Sequence, residues 1–374
     1  MNVGAEAPRI FVSAGEPSGD LHGAALVESL RDRFPGARIT GFGGPRMAAA
    51  GAELRWRMEG FTALGLVEVV GKIPRHWRLL GQMRRLFDTG TIDLVIVVDY
   101  PGFHLRVAEA AKAAGIPVLY YVAPQLWAWW PGRARRLAKA VDAMAVILPF
   151  EAGFFRTVGI EAEFVGHPLT ETSRPSRAAA RQALGIGPAV KVLGLFPGSR
   201  EGELHRLWPA FRDAGRRLLE GGRCEQVVVA GTVEGRYPDP GPVTLMRGET
   251  TAILAAADAG LAKSGTTTLE AALSDLPMVV AYRVHPVTAR LARRMLRVEW
   301  LSLVNLVAGR QVVPELWQDE VTGVGLERAV SPLLDATNPV TTAQREGLAE
   351  VRDKLGGAGA ASRVAAMAAR LLAR

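Results

Sequence analysis

The stretch Leu94-Val95-Ile96-Val97-Val98-Asp99-Tyr100-Pro101-Gly102-Phe103-His104 sets five apolar residues against a polar turn, with a carboxylate at the junction. The run lacks the apolar–polar alternation of a half-exposed strand, so it reads as a strand covered on both faces. Pro101 and Gly102 end it, and a helical pattern occupies 108–114. The same unit appears upstream, where 10–13 leads through a turn into a helical pattern at 21–34, and downstream at 118–122 and 143–148. Buried strands alternating with helices predict an α/β fold built on a parallel sheet.

The pattern then restarts. Residues 167–175 are polar and read as a linker, after which Val192–Phe196, 226–230, 259–262 and 278–281 form a second series. Two Rossmann-like domains are expected, 1–168 and 169–344, with a C-terminal helical segment 345–374 completing the first. Val364, Met367, Leu371 and Leu372 share one face of that segment. A length of 374 residues suits two domains, each large enough to bury its own core. The 49% apolar content excludes disorder, and a single cysteine, Cys224, excludes a disulfide scaffold and reads as a buried small hydrophobe. Forty-five Lys and Arg against 37 Asp and Glu give a net charge of +8, which favours an anionic partner. Residues 1–9 have neither a basic start nor an apolar run, and no window approaches the length of a spanning helix. A cytoplasmic protein that meets membranes only at their surface is expected.

In parallel α/β sheets ligands bind beyond the carboxyl ends of the strands, so the residues just after each strand carry the candidate chemistry. After the first strand comes Gly15-Glu16-Pro17-Ser18-Gly19-Asp20. Its glycines permit tight turns and a following helix offers free N–H groups, though ordinary capping by Ser18 or Asp20 fits too. Asp99 is a candidate general base, with helix capping as its alternative. After the strand ending at Phe196, Pro197-Gly198-Ser199-Arg200 suits a diphosphate, pairing backbone N–H groups with a guanidinium. Lys263-Ser264-Gly265-Thr266-Thr267-Thr268-Leu269-Glu270 repeats a small-residue turn at a helix start, with Glu270 placed to accept ribose hydroxyls. There is no G-x-G-x-x-G, Walker A, G-x-S-x-G or zinc-ligand spacing, so no metal or cofactor is expected.

Three stretches mix bases with aromatic or apolar residues: 72–80, 126–133 and 290–297. They suit an anionic bilayer or a phosphorylated lipid, and equally amphipathic packing with arginines reaching water. Within 73–87, the residues Ile73, Trp77, Leu80 and Phe87 fall near one helical face among Arg75, Arg78, Arg84 and Arg85.

Taken together, the chain resembles the lipid A disaccharide synthase family. The resemblance runs through 15–20, 43–47, 65–69, 99–103, 121–129, 148–151, 165–168, 195–200, 263–270, Tyr282-Arg283 and Leu303-Val304-Asn305-Leu306. Pro17, His104 and Val304 depart from the family pattern, which has Ala, Asn and Pro there. The resemblance implies a GT-B architecture, two Rossmann-like domains facing a central cleft. It implies an inverting transfer from UDP-2,3-diacylglucosamine to 2,3-diacylglucosamine 1-phosphate (lipid X), giving the disaccharide 1-phosphate and UDP. It places the step on the cytoplasmic face of a Gram-negative inner membrane, with the enzyme peripheral to an anionic surface, no nucleic acid as partner, and a homodimer left open. The implied catalytic residues are Asp99, Glu16 and Ser18. The implied substrate-binding residues are Gly15, Gly19, Gly198, Ser199, Arg200, Ser264, Gly265, Thr266, Glu270, Tyr282 and Asn305. A UDP-sugar 2-epimerase and a cell-wall N-acetylglucosaminyltransferase are the rival readings; the Trp/Arg stretches disfavour the first and the 15–20 loop the second.

Overall fold

A computed structural model describes residues 7–61, 66–129, 131–285, 289 and 298–374, excluding the side chains of 66–72, 128, 129 and 131. The expected motif at 65–69 therefore lies outside the described side chains, and the whole stretch 290–297 lies outside the described residues. The chain forms two units, one of Met1–Glu171 with Gly356–Arg374, the other Thr172–Leu355.

The first unit is a seven-stranded parallel sheet of β1 (Arg9–Ala14), β2 (Arg38–Gly43), β3 (Glu53–Arg57), β4 (Leu94–Val98), β5 (Val118–Tyr121), β6 (Ala143–Val146) and β7 (Glu161–Phe164), in the order β3-β2-β1-β4-β5-β6-β7. The second is a six-stranded parallel sheet of β8 (Val192–Phe196), β9 (Gln226–Gly231), β10 (Thr244–Arg247), β11 (Ala259–Lys263), β12 (Met278–Tyr282) and β13 (Glu315–Trp317), in the order β10-β9-β8-β11-β12-β13. The central strands are covered on both faces. In β4, Val95 and Val97 enter one core with Phe11 and Tyr120, while Leu94, Ile96 and Val98 enter the opposite one with Ile10 and Val12. At about 1.5–3 kcal/mol per fully buried Val, Leu or Ile, this two-sided burial drives each sheet. The strands that the sequence pattern misses are mainly edges. β3, β7, β10 and β13 expose one side or are only half-buried, so their residues are polar and break the apolar run.

Proline starts the helices that follow β1, β2 and β4: Pro17, Pro45 and Pro101 each stand at the first turn, where a missing N–H costs nothing. Asp20 caps a neighbouring helix rather than its own. Its buried carboxylate accepts from Gly44 N at 2.8 Å, Arg46 N at 3.0 Å and Met47 N at 3.1 Å, the start of the helix Pro45–Ala49. Two of the recurring sequence stretches also meet in space. The Trp127 indole donates to Glu151 Oε1 at 3.0 Å, and the other oxygen accepts from Leu148 N, so a buried carboxylate ties 124–127 to 148–151. Burial pushes the Glu151 carboxyl up to about 7.

The expected C-terminal segment 345–374 is two helices with different allegiances. Pro339–Lys354 stays on the second unit, where Gln344 Oε1 accepts from Met278 N at 2.6 Å and Arg345 and Arg352 both reach Asp275. Only Ala360–Leu372 joins the first unit, burying Val364, Met367 and Leu371 against Leu26, Val27 and Leu30. Glu171 caps it, accepting from Gly359 N at 3.0 Å and Ala360 N at 2.9 Å. The reason for the split is Gly356-Gly357, which breaks the helix and frees the chain to leave. Cys224 is buried, and burial raises its thiol pKa to about 11.

The amphipathic reading of 73–87 needs correction. Ile73 and Trp77 are 44% and 49% exposed, but Leu80 and Phe87 are each 1% exposed and belong to the core with Phe11 and Phe42. Residues 73, 80 and 87 are successive heptads on one face of the helix Leu66–Phe87, so the split runs along the helix: its later turns lie on the core and its earlier turns leave the same face exposed. Asp20 also yields a test of the fold. Asp20→Ala strips three buried or half-buried N–H groups of a charged acceptor and is expected to cost about 3 kcal/mol; a urea unfolding midpoint unchanged from wild type would refute this.

Candidate functional site

In both sheets the strand order reverses once, between β1 and β4 and between β8 and β11. The connections run outward in opposite directions from these points, so no crossover covers the strand ends there. The candidate residues gather at both reversals.

In the first unit β1 runs into Gly15-Glu16 and β4 into Asp99-Tyr100. Asp99 and Tyr100 both take left-handed backbone conformations, with φ +53 and +52, a costly geometry for non-glycine residues. The surroundings hold it. Asp99 N donates to Tyr121 O at 2.9 Å, and the Asp99 carbonyl accepts from the Tyr120 hydroxyl at 2.8 Å and from His104 Nδ1 at 2.6 Å. Since a carbonyl only accepts, Nδ1 carries the imidazole proton and Nε2 accepts from the Ser13 hydroxyl at 2.8 Å. Burial holds His104 neutral, its pKa lowered to about 4. His104, a departure from the family pattern, is thus a buried brace for the candidate base.

The Asp99 carboxyl is pushed up to about 6, by burial first and then by the Glu16 carboxylate. Glu16 is the N-cap residue of Pro17–Arg33 and is half-buried. Tyr100 stacks its ring over Gly15, where a Cβ would come within 2.3 Å of Tyr100 Cδ1, so only glycine fits. Gly19 is buried beneath the end of β4, and Ser18 is exposed on the first turn of its helix. Beside them opens a pocket of about 370 Å³ lined by Glu16, Phe61, Ile73, Trp77, Tyr100 and Phe103. Arg106 stands at its wall, its guanidinium 4.5 Å from the centre of the Trp77 ring. His76 Nε2 lies 2.7 Å from the Tyr100 hydroxyl.

In the second unit β8, β11 and β12 lie side by side and end at Phe196, Lys263 and Tyr282. Gly198, at φ +102, turns the chain so that Ser199 and Arg200 are exposed at the start of Glu201–Glu220. The Arg200 side chain is 75% exposed and pairs with Glu203 at 3.3 Å. Gly265 and the exposed Thr266 begin Thr266–Leu273. Glu270 is half-buried one turn in; burial raises its pKa, opposed by the nearby Arg174. Tyr282 packs edge-on against Trp317, 5.8 Å between ring centres. Residues 198–200, 264–270 and 282 therefore stand at or just beyond the ends of three adjacent strands.

Two expected ligand residues are otherwise engaged. Ser264 is buried and donates to Leu301 O at 2.8 Å. Asn305 is fully buried: its amide nitrogen donates to Val313 O and Glu315 Oε1, and its oxygen accepts from Val312 N and Val313 N. With two donors and two acceptors used, Asn305 folds the 311–315 turn, and no capacity is left for a ligand. Sequence reasoning notes His104 only as a departure from the family pattern and gives no site role to Tyr120 or Glu203. Lys263 was inside a quoted motif without a role. Among the described residues no cluster of three or more His, Cys, Asp or Glu is placed to hold a metal ion.

Comparison with known proteins follows the same lines. Residues 10–363 match the family model for lipid-A-disaccharide synthetase. The chain is 40% identical to lipid-A-disaccharide synthase of Geobacter metallireducens and 42% identical to that of Myxococcus xanthus, in each case over 98% of both chains. The crystal structure of the glycotransferase of kitacinnamycin is similar in fold, with a TM-score of 0.64 and 18% identity over 97% of this chain and 99% of that one. The two parallel-sheet units are Rossmann-like units of the GT-B class. A full-length family match at this identity decides the matter: the chain belongs to the lipid-A-disaccharide synthase family of glycosyltransferases.

Proposed function

We propose that the protein transfers a 2,3-diacylglucosaminyl group from UDP to the 6-hydroxyl of 2,3-diacylglucosamine 1-phosphate, releasing UDP. The observation that carries this reading is the first unit's constellation: a strained, half-buried carboxylate at a sheet reversal, opening beside an apolar pocket. A base for a sugar hydroxyl and a wall for an acyl chain are what an acylated acceptor requires.

Asp99 takes the proton of the acceptor 6-hydroxyl as that oxygen attacks C1 of the donor. The bond between C1 and the diphosphate oxygen breaks, and its electron pair leaves on UDP. A base with a pKa near 6 is ionised at neutral pH and still basic enough to assist, since the ideal catalytic pKa lies near the operating pH. Burial, and after it the Glu16 carboxylate, keeps that pKa high. Ser18 stands on the adjacent turn, exposed to the same solvent, as a further contact for the acceptor. In the second unit the leaving diphosphate meets Arg200, the backbone at Gly198 and Ser199, and the start of Thr266–Leu273. Glu270 suits the ribose hydroxyls.

The same proposal places the protein peripherally on the anionic inner-membrane surface, at its cytoplasmic face. Among the described residues no helix is long and apolar enough to cross a membrane. Exposed Ile73 and Trp77 sit on one helix with exposed Arg75, Arg78, Arg84 and Arg85, an apolar edge within a basic field next to the acceptor pocket.

UDP release measured with UDP-2,3-diacylglucosamine, with and without lipid X, tests the activity: release should require the acceptor, and acceptor-independent release would contradict the transfer. Asp99→Asn should reduce turnover at least ~10²-fold. It should also stabilise the fold at pH 8 by on the order of 2 kcal/mol, because the native pKa lies above the unfolded value and the buried charge opposes folding. That gain should fade as pH falls through 6 towards 4, and undiminished turnover would strike Asp99 from the mechanism. Arg200→Ala should lose roughly 2–4 kcal/mol of transition-state binding, read from kcat/KM. For the membrane, wild-type protein should sediment with anionic vesicles in a salt-sensitive way, at about 1 kcal/mol per arginine near the surface. The double variant Ile73→Ser, Trp77→Ser should bind less while keeping its melting temperature; wild type remaining in the supernatant at low salt would refute attachment.

A further inference from the structure

Lys263 is the last residue of β11, adjacent in the sheet to β8. Its ammonium lies 3.0 Å from Glu203 Oε1, the same oxygen that pairs with Arg200 Nη1 at 3.3 Å. Glu203 therefore holds two cations from two different strand ends with one carboxylate. The ammonium also lies 3.4 Å from where a Cβ would stand on Gly265, whose φ is +154, so it rests across the first turn of Thr266–Leu273. That position opposes the helix dipole, which favours anions at this end. Arg200 stands likewise at the N-cap of Glu201–Glu220. Two cations thus stand at two helix starts, held by one shared carboxylate, and both keep exposed side-chain surface that a bound anion could meet.

We infer that Lys263 is a second cation for the diphosphate of the nucleoside diphosphate donor, with Glu203 as the positioning residue that aims Lys263 and Arg200 at it. The inference rests on reading the second unit as the donor site. An ammonium has three donors, and Glu203 takes one of them, leaving the others for phosphate oxygens. Only about a fifth of the Lys263 side chain is exposed, so its charge is less screened there than that of Arg200.

Direct calorimetric titration of the whole protein with UDP and with uridine tests this without turnover. Lys263→Met should weaken UDP binding at least ~10-fold, the loss expected of one charge-assisted contact, and leave uridine affinity within about twofold. Lys263→Arg should restore UDP affinity to within about threefold of wild type. Unchanged UDP affinity in Lys263→Met, or an equal loss for uridine, overturns the inference. Should the Met variant melt early, Lys263→Gln, which keeps a polar donor without charge, decides by the same comparison. Wild-type protein that binds no UDP overturns the donor-site reading itself, whereas wild-type binding with an indifferent Lys263 overturns this assignment alone.

Discussion

Right-handed crossovers between parallel strands leave each sheet with one place where the winding reverses, and the candidate chemistry follows from that constraint. From β1 the chain winds outward through β2 and β3; it then returns to β4 and winds the other way. The helices of the two halves lie on opposite faces, so the ends of β1 and β4 stay uncovered. The same happens at β8 and β11. Gly15, Glu16, Asp99 and Tyr100 are neighbours because of the first reversal, and Gly198, Arg200, Lys263 and Gly265 because of the second. No residue near either site was needed to bring these segments together; the apolar runs of the strands do it.

The two reversals are finished with opposite chemistry. The first fixes the backbone of a carboxylate residue with buried, uncharged hydrogen-bond donors, and burial raises the carboxyl's pKa. Neutral His104, Tyr120 and Ser13 fix the backbone of Asp99 without offering a cation to stabilise its charge. An arginine in place of His104 would lower the Asp99 pKa and weaken it as a base. The second reversal collects cations at helix starts and holds them with a single carboxylate. The proposed transfer calls for these contrasting environments, one for a proton acceptor and one for leaving-group charge.

How much of this the sequence discloses depends on whether a residue's role is set by its own segment. β4 and β8 are legible to the residue, since burial on both faces demands an unbroken apolar run. The edge strands β3, β7 and β10 are not, because one exposed side admits Glu, Arg and Thr. Asp99 and Arg200 stand out by following such runs. His104, Lys263 and Glu203 do not, because their partners are on other strands, at sequence separations that only the sheet order closes. Asn305 misleads for the converse reason. A side-chain amide in a family motif reads as a ligand contact, yet its four hydrogen bonds all go to residues 312–315, seven to ten residues away.

The helix Leu66–Phe87 shows the same limit in packing. A single amphipathic face containing Ile73, Trp77, Leu80 and Phe87 is compatible with periodicity alone, but the structure divides it between core and surface. That division has a chemical consequence. Leu79, Leu80, Met83 and Phe87 anchor the helix to the sheet, so Ile73 and Trp77 at its other end are held in place beside the acceptor pocket. Trp77 is further fixed by the Arg106 guanidinium, which rises from the helix Pro101–Ala113, capped by Tyr100 next to Asp99. The exposed apolar edge and the proposed base are therefore joined through one core, and the carboxylate that lines the pocket between them is Glu16, the group whose charge adds to burial in raising the Asp99 pKa.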